Sequence, residues 1–304
     1  MSELGLLNEQ SAVRRIVLGD VRLTYVVDGA MALTAGGFFP AVPGEYWRAH
    51  PEAVDAEGRI AMSAGGLLVE RDGRKLLVDA GLGPYRGDLS VGEEPFGGAD
   101  SGAMPEVLAE LGVAPEDIDA VAFTHLHVDH VGWAFKDGRK FFPNARYLVA
   151  AEEWAPHEHG ITVPGVIAEM TVVPMRGNHE LIREGEEVWP GVRAVVTPGH
   201  TPGHSSFIVD SGVGRIIAFG DAFHAPAQIT HPEWGSRPDT DSDGVLKART
   251  RLLGGVGAAR HSRLRHPLRR PGLRSCGAGR GRGADLAAGR RGVRPGDASV
   301  ALGR

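Results

Sequence analysis

Apolar and polar positions alternate over residues 15–28 about a Gly19-Asp20 step, which predicts two antiparallel strands joined by a tight turn. Residues 64–82 repeat the design, with Asp72 and Gly73 at the turn. Pro105 suits the first turn of a helix, and Val107, Leu108 and Leu111 then fall on one face. The apolar stretches 120–123 and 145–149 predict buried strands, and further strands are expected at 193–197, 206–209 and 215–219. Hairpins mixed with strand-helix-strand units imply an α/β or α+β sandwich. No internal repeat is evident.

Composition narrows the class. The 304 residues are 42% hydrophobic, 23% charged and 6% aromatic, the profile of a soluble globular chain of one or two domains, which excludes disorder, collagen and coiled coil. No stretch approaches the roughly 18 consecutive apolar residues of a membrane helix. The opening MSELGLLNEQ lacks the basic and apolar segments of a signal peptide, so a cytoplasmic protein without a membrane partner is expected. Cys276 is the single cysteine, which rules out an intrachain disulfide and a thiolate cage; a metal must be held by His, Asp or Glu.

The net charge of −5 hides a division. Residues 253–304 hold 12 Arg, no Lys and only Asp285 and Asp297 as acids, a charge of +10, which leaves −15 on residues 1–252. No Phe, Trp or Tyr follows Trp234, and from Gly254 on the chain has too few bulky apolar residues for a core of its own. A catalytic domain over 1–252 and an atypical, poorly ordered Arg/Gly-rich tail over 253–304 are expected.

The chemistry concentrates in three motifs. THLHVDHVG at 124–132 ends a predicted buried strand. In extended backbone alternate residues point the same way, so His125, His127 and Asp129 are expected to face one cavity, with His130 brought in by a turn closed by Gly132. Burying three imidazoles and a carboxylate within six residues is costly without a cation. TPGHTPGH at 197–204 presents His200 at the tip of a tight turn and leaves His204 a supporting place. IIAFGDAFH at 216–224 ends an apolar strand at Asp221.

These motifs, together with LLVDAGLG at 76–83, resemble the metallo-β-lactamase fold superfamily of hydrolases over about residues 15–252, and within it the group of acyl-homoserine-lactone lactonases and methyl parathion hydrolase. The resemblance implies an αββα four-layer sandwich with a dinuclear metal site along one edge of the sheets. It implies His125, His127 and His200 on a first metal, Asp129 and His130 on a second, Asp221 bridging the two, and Asp79 orienting the metal-binding loop. The donor set suits Zn²⁺, two per chain, with Mn²⁺, Fe²⁺ or Co²⁺ as other occupants. The expected reaction is attack of a metal-bound hydroxide on a small ester, lactone, amide or phosphotriester. Asp129 is the expected proton carrier, and His224 stands where such lactonases carry a Tyr that hydrogen-bonds the substrate carbonyl. His231 reads as an ordinary loop residue, while Phe38, Phe39, Trp47 and Trp133 read as core or pocket wall.

One family feature is missing. A further second-metal histidine is expected some forty to fifty residues after Asp221 in a GxHF-like strand end, yet His261 and His266 sit among arginines with no apolar strand before them. Synonymous codons exist for Leu264 to Pro271 that, read one base later, spell FGIHFADP, so a change of reading frame near Leu253 is one account. The fold is then expected to be incomplete at its C-terminal end and the second site weakened. Competing readings are a mononuclear iron enzyme of persulfide dioxygenase type, a catalytically impaired metal-binding protein, and a nucleic-acid-processing enzyme, the last disfavoured by the acidic catalytic region. A small-molecule substrate is the expected partner, with assembly into a homo-oligomer left open.

Overall fold

The computed structural model describes residues 12–91 and 94–262. Strands β1 (Arg14–Leu18) and β2 (Val21–Thr34) form the first predicted hairpin, with Leu18 opposite Val21 and Gly19 at a positive φ of 62°. Two short helices follow, α1 (Ala35–Phe38) and α2 (Gly44–Ala49). The second predicted hairpin is β3 (Arg59–Arg71) with β4 (Arg74–Val78); Asp72 and Gly73 both take positive φ, as a type I′ turn requires. The first hairpin is longer than its alternation suggested, and the second starts earlier, at Arg59, and ends at Val78. Beyond Gly29, Met31 and Leu33 enter one apolar cluster while Ala30 and Ala32 enter another, so both faces of β2 are covered and the period-two signal fades.

A hairpin of β5 (Tyr85–Val91) and β6 (Glu94–Ser101) then pairs with β2, followed by α3 (Met104–Glu110), whose Met104 and Leu108 are buried. This hairpin was not expected, because its Gly-rich, acidic sequence carries no hydrophobic alternation. Next come β7 (Ala120–Ala122), α4 (Val128–Val131), the small pair β8 (Phe135–Lys136) and β9 (Arg139–Lys140), and β10 (Arg146–Ala150). Helices α5 (Ala151–Glu158) and α6 (Val172–Met175) lead to β11 (Glu180–Ile182). The second half continues with β12 (Glu187–Trp189), β13 (Val192–Val196), β14 (Ser205–Asp210), β15 (Arg215–Ala218), α7 (Ala227–Thr230) and α8 (Ser242–Ser262).

Among the described residues the large sheet runs β11-β10-β7-β4-β3-β2-β6-β5, with β1 also on β2, and the smaller sheet runs β12-β13-β14-β15. β7 lies parallel to both β4 and β10. Its continuous apolar run has a simple cause: Val121 enters the core beneath α3 and α5, while Ala120 and Ala122 enter the core between the sheets. That inter-sheet core also holds Leu76, Val78, Trp189 and Phe207. On the far side of the small sheet, Leu252 of α8 packs with Phe219 and Phe223. These layers make the expected αββα sandwich.

α8 runs through residue 253, where the tail was expected to begin. His266 and the remainder of the tail beyond residue 262 lie outside the described residues. Among the described residues no helix is long and apolar enough to cross a membrane.

Candidate metal centre

Four loops converge at one edge of the sandwich. They follow β4 (Asp79), β7 (His125 to His130), β13 (His200) and β15 (Asp221), so each rises from a strand end held by the core. The sequence expectation needs one correction here. His127 is the last extended residue, with φ −63° and ψ 153°, while Asp129 and His130 belong to the helical turn α4. The motif thus reaches the centre through a strand-to-helix switch and not through alternation alone.

His125, His127, His200 and Asp221 each offer a ligand atom, and these atoms all lie within 4.8 Å of one another, with all four residues buried. His127 Nδ1 and His200 Nε2 are 3.0 Å apart, and His200 Nε2 is 3.2 Å from Asp221 Oδ2. His130 Nε2 lies 3.4 Å from Asp221 Oδ1 and 3.8 Å from Asp129 Oδ2, so the second predicted set adjoins the first through the Asp221 carboxylate.

The surroundings fix which ring nitrogen faces inward. Asp79 accepts the Thr124 N–H and hydroxyl, both at 2.8 Å, and lies 2.9 Å from His130 Nδ1. The Thr124 oxygen, having donated to Asp79, accepts from His125 Nδ1 at 3.0 Å. His200 Nδ1 donates to Asp239 Oδ1 at 2.9 Å. Each of these three rings spends its Nδ1–H on a supporting oxygen and turns Nε2 to the centre, the arrangement metal-binding imidazoles adopt.

Protonation follows the same logic. Burial pushes His125 well below its usual range, and burial with the neighbouring His200 pushes His127 down to about 3. Burial also opposes charge on His200, but the carboxylates of Asp221 and Asp239 outweigh it and raise its pKa. Asp239 sits at about 2: its burial is overcome by the His200 hydrogen bond, the nearby His224 and His200, and the Ser236 N–H. His125 Nε2 is buried without a hydrogen-bond partner among the described residues, and His127 turns its Nδ1 toward His200 Nε2, 3.0 Å away. The neutral imidazoles of His125 and His127, with His200 and the Asp221 carboxylate, form a donor set that fits a divalent cation such as Zn²⁺.

Supporting residues hold this set in place, and sequence reasoning missed several. Glu153 of α5, buried, accepts the Leu126 N–H (3.0 Å), the Thr201 hydroxyl (2.6 Å) and the Gly203 N–H (3.1 Å), joining the β7 loop to the β13 loop. A Cβ on Gly203 would lie 1.8 Å from the Glu153 nitrogen, so only glycine admits this approach. Asp28, at a register shift in β2, accepts N–H groups from Leu82, Gly83 and Met104 and from the Trp133 indole, which places Trp133 in the core.

The sequence profile of the Metallo-beta-lactamase superfamily matches residues 66–261. The chain belongs to the metallo-beta-lactamase superfamily. A curated relative, an N-acyl homoserine lactonase from a Bacillus species, is 28% identical over 152 residues, 47% of this chain and 57% of that protein. Metallo-beta-lactamase domain-containing protein 1 of Mus musculus is 30% identical over 185 residues, 57% of this chain and 61% of its own. The chain thus spans less than two thirds of the length of these relatives. Among solved structures, AidC, described as a dizinc quorum-quenching lactonase, aligns with a TM-score of 0.68 at 23% identity, covering 82% of this chain and 88% of AidC. The hydrolase AbOPH aligns at 0.67 and 23% identity, covering 81% and 86%. At these identities the structures establish the metallo-beta-lactamase fold.

The remaining sequence candidates divide cleanly. His204 supports the superfamily site from behind, accepting the Asp221 N–H at its Nε2 (3.0 Å). His224 is buried, with Nε2 3.2 Å from Asp221 Oδ2 and its ring edge-on to Phe38 at 5.2 Å. Phe38 and Phe39 belong to an apolar cluster joined by Trp47 and Trp234. His231 stacks on Trp234 at 3.9 Å and stays away from the centre, as expected of a loop residue.

Proposed function

We propose that this chain is a metal-dependent hydrolase of a small ester, lactone, amide or phosphotriester, with His125, His127 and His200 on one zinc ion, Asp129 and His130 on a second, and Asp221 between them. The observation that carries the proposal is the buried cluster of His125, His127, His200 and Asp221, with ligand atoms within 4.8 Å of one another. The likeness to an N-acyl homoserine lactonase over 152 residues supports the lactone within that class. When bound, a divalent pair brings the pKa of water toward neutrality and polarises a substrate carbonyl or phosphoryl oxygen.

The chain's own groups do the rest. Asp129, at the more open side of the site with a side chain 14% exposed, is placed to take up a proton and return it to the leaving group. His224 meets Asp221 through Nε2, so that nitrogen is within reach of a substrate oxygen held beside the same carboxylate. Phe38 and Phe39, against the His224 ring, give that side of the site an apolar wall that limits water.

Metal content by mass spectrometry on purified protein, paired with hydrolysis assays on lactones, aryl esters and phosphotriesters, tests the proposal. Zinc with turnover of at least one of these classes is expected. Protein that takes up no metal, or zinc-loaded protein inert on all three, would overturn it, and iron with oxygen consumption would move the assignment to the persulfide dioxygenase type.

A further inference from the structure

The fully buried side chain of Arg249 lies in the middle of α8, where helix periodicity places it on the same stripe as the buried Val245, Ala248 and Leu252. Burying an unpaired guanidinium is strongly unfavourable, so its partners carry information. Nε donates to the Ala222 carbonyl at 2.6 Å, and Nη1 donates to the Pro232 carbonyl at 3.0 Å and the Trp234 carbonyl at 2.7 Å. Nη2 faces Asp239 Oδ2 at 3.6 Å.

Two of these contacts lead to the centre. Ala222 follows Asp221 in the turn after β15, so the bond to its carbonyl fixes the turn that presents Asp221. Asp239 takes the Nδ1–H of His200 at 2.9 Å, and its own loop is clasped to the His200 turn by Thr240 N–H and Asp241 N–H to the Gly199 carbonyl, at 2.9 and 2.8 Å. One planar cation therefore braces the supports of two groups in the cluster, from two directions.

We propose that Arg249 is a positioning residue for the metal centre: from within α8 it sets the His200 ring through Asp239 and the Asp221 turn through the Ala222 carbonyl. The inference rests on the metal-site reading above and adds that α8 determines how tightly the site holds its ion. The planar fork suits this duty, because one lysine ammonium cannot meet three carbonyls and a carboxylate that approach along the guanidinium plane.

The test uses full-length protein loaded with Zn²⁺ or Co²⁺ and the variants Arg249→Met and Asp239→Asn. Competition with a chromophoric chelator gives the zinc affinity, the Co²⁺ visible absorption bands report the ligand geometry, and melting of the metal-free proteins reports general destabilisation. Zinc affinity is expected to fall by about ten- to a hundredfold in each variant, with shifted Co²⁺ bands. Wild-type affinity and unshifted bands in a variant would overturn the inference, even if that variant melts at a lower temperature. Should Arg249→Met fail to fold, Asp239→Asn decides on the same criteria, since it alters the link to His200 and leaves the three carbonyl bonds of Arg249 in place. A wild-type protein that binds no metal defeats the underlying reading, whereas metal-binding wild type with indistinguishable variants defeats this inference alone.

Discussion

The main-chain N–H of Asp221 donates to Nε2 of His204 at 3.0 Å, while Nδ1 on the opposite side of the ring lies 3.2 Å from the Thr197 carbonyl. The two contacts allow one tautomer, with the proton on Nδ1 and a lone pair on Nε2. A second proton would set N–H against N–H at Asp221. The ring thus joins the end of β13 to the turn that carries the central carboxylate, and it does so only while neutral.

A pH dependence follows for the metal-free protein. An unfolded histidine takes a proton near pH 6.5, whereas burial, with the nearby His200, pushes His204 down to about 3. Between those values the unfolded chain binds more protons, so stability is full above about pH 6.5 and is lost as the pH falls toward 3, by at most about 1.4 kcal/mol per pH unit for each such histidine. His127, also at about 3 in the absence of metal, adds to the slope, and His200, raised by its carboxylates, opposes it. Urea unfolding between pH 7 and pH 5 measures the slope. His204→Gln retains an acceptor and a donor without titrating and is expected to flatten it; identical slopes in the two proteins would contradict the assignment.

Glu153 gives a stability prediction. Its two oxygens accept three hydrogen bonds from two different loops, and burial pushes its pKa up. In Glu153→Gln one amide group must confront a donor, whichever way the side chain turns, leaving a buried donor unmatched at a cost of about 1–3 kcal/mol. Because Leu126 lies between His125 and His127, and Thr201 follows His200, zinc affinity should weaken with it. Unchanged urea midpoints and zinc affinity would refute the bridging role.

Much of this arrangement was legible in the sequence because strands with strong patterns deliver the chemistry. The β1–β2 and β3–β4 turns, the apolar β7 and the histidine motif behind it all carry local signals, and the structure brings His125, His127, His130, His200 and Asp221 together. What stayed hidden depends on contacts distant in sequence. Glu153 looks no different from its neighbour Glu152, and Asp239 sits in SRPDTDSDG, which reads as turn chemistry alone. Arg249 did leave a trace, since a cation on the apolar stripe of a helix calls for a buried partner. Asp129 was read as part of an extended run because the strand-to-helix switch at His127 has no marker in VDHV.

Asp79 carries a separate prediction because its backbone and side chain are both constrained. It takes a left-handed φ of 63°, which Asn tolerates and Ala does not, and its carboxylate accepts from Thr124 and His130. Asp79→Ala should therefore lose about 1–2 kcal/mol to backbone strain alone and release the His130 ring as well. Asp79→Asn keeps the backbone and one acceptor, so it should retain more zinc per chain than Asp79→Ala. Equal metal content in the two variants would show that Asp79 does not act through His130.

The two halves of the cluster should release metal in order. The first set places three imidazoles and Asp221 within 4.8 Å, all of them buried. Around His130 the described residues bring Asp129 Oδ2 at 3.8 Å and Asp221 Oδ1 at 3.4 Å, with the Asp129 side chain 14% exposed. A set with fewer imidazoles and more access to water competes less well for zinc. A graded chelator titration of zinc-loaded protein should therefore remove one equivalent at least about tenfold more readily than the other, the scale on which a single supporting group changes affinity. His130→Ala should abolish the labile equivalent and leave the tight one, and His127→Ala should loosen the tight one. Loss of both ions in one concerted step from the wild-type protein would show that Asp221 couples the sites too strongly for either to be filled alone.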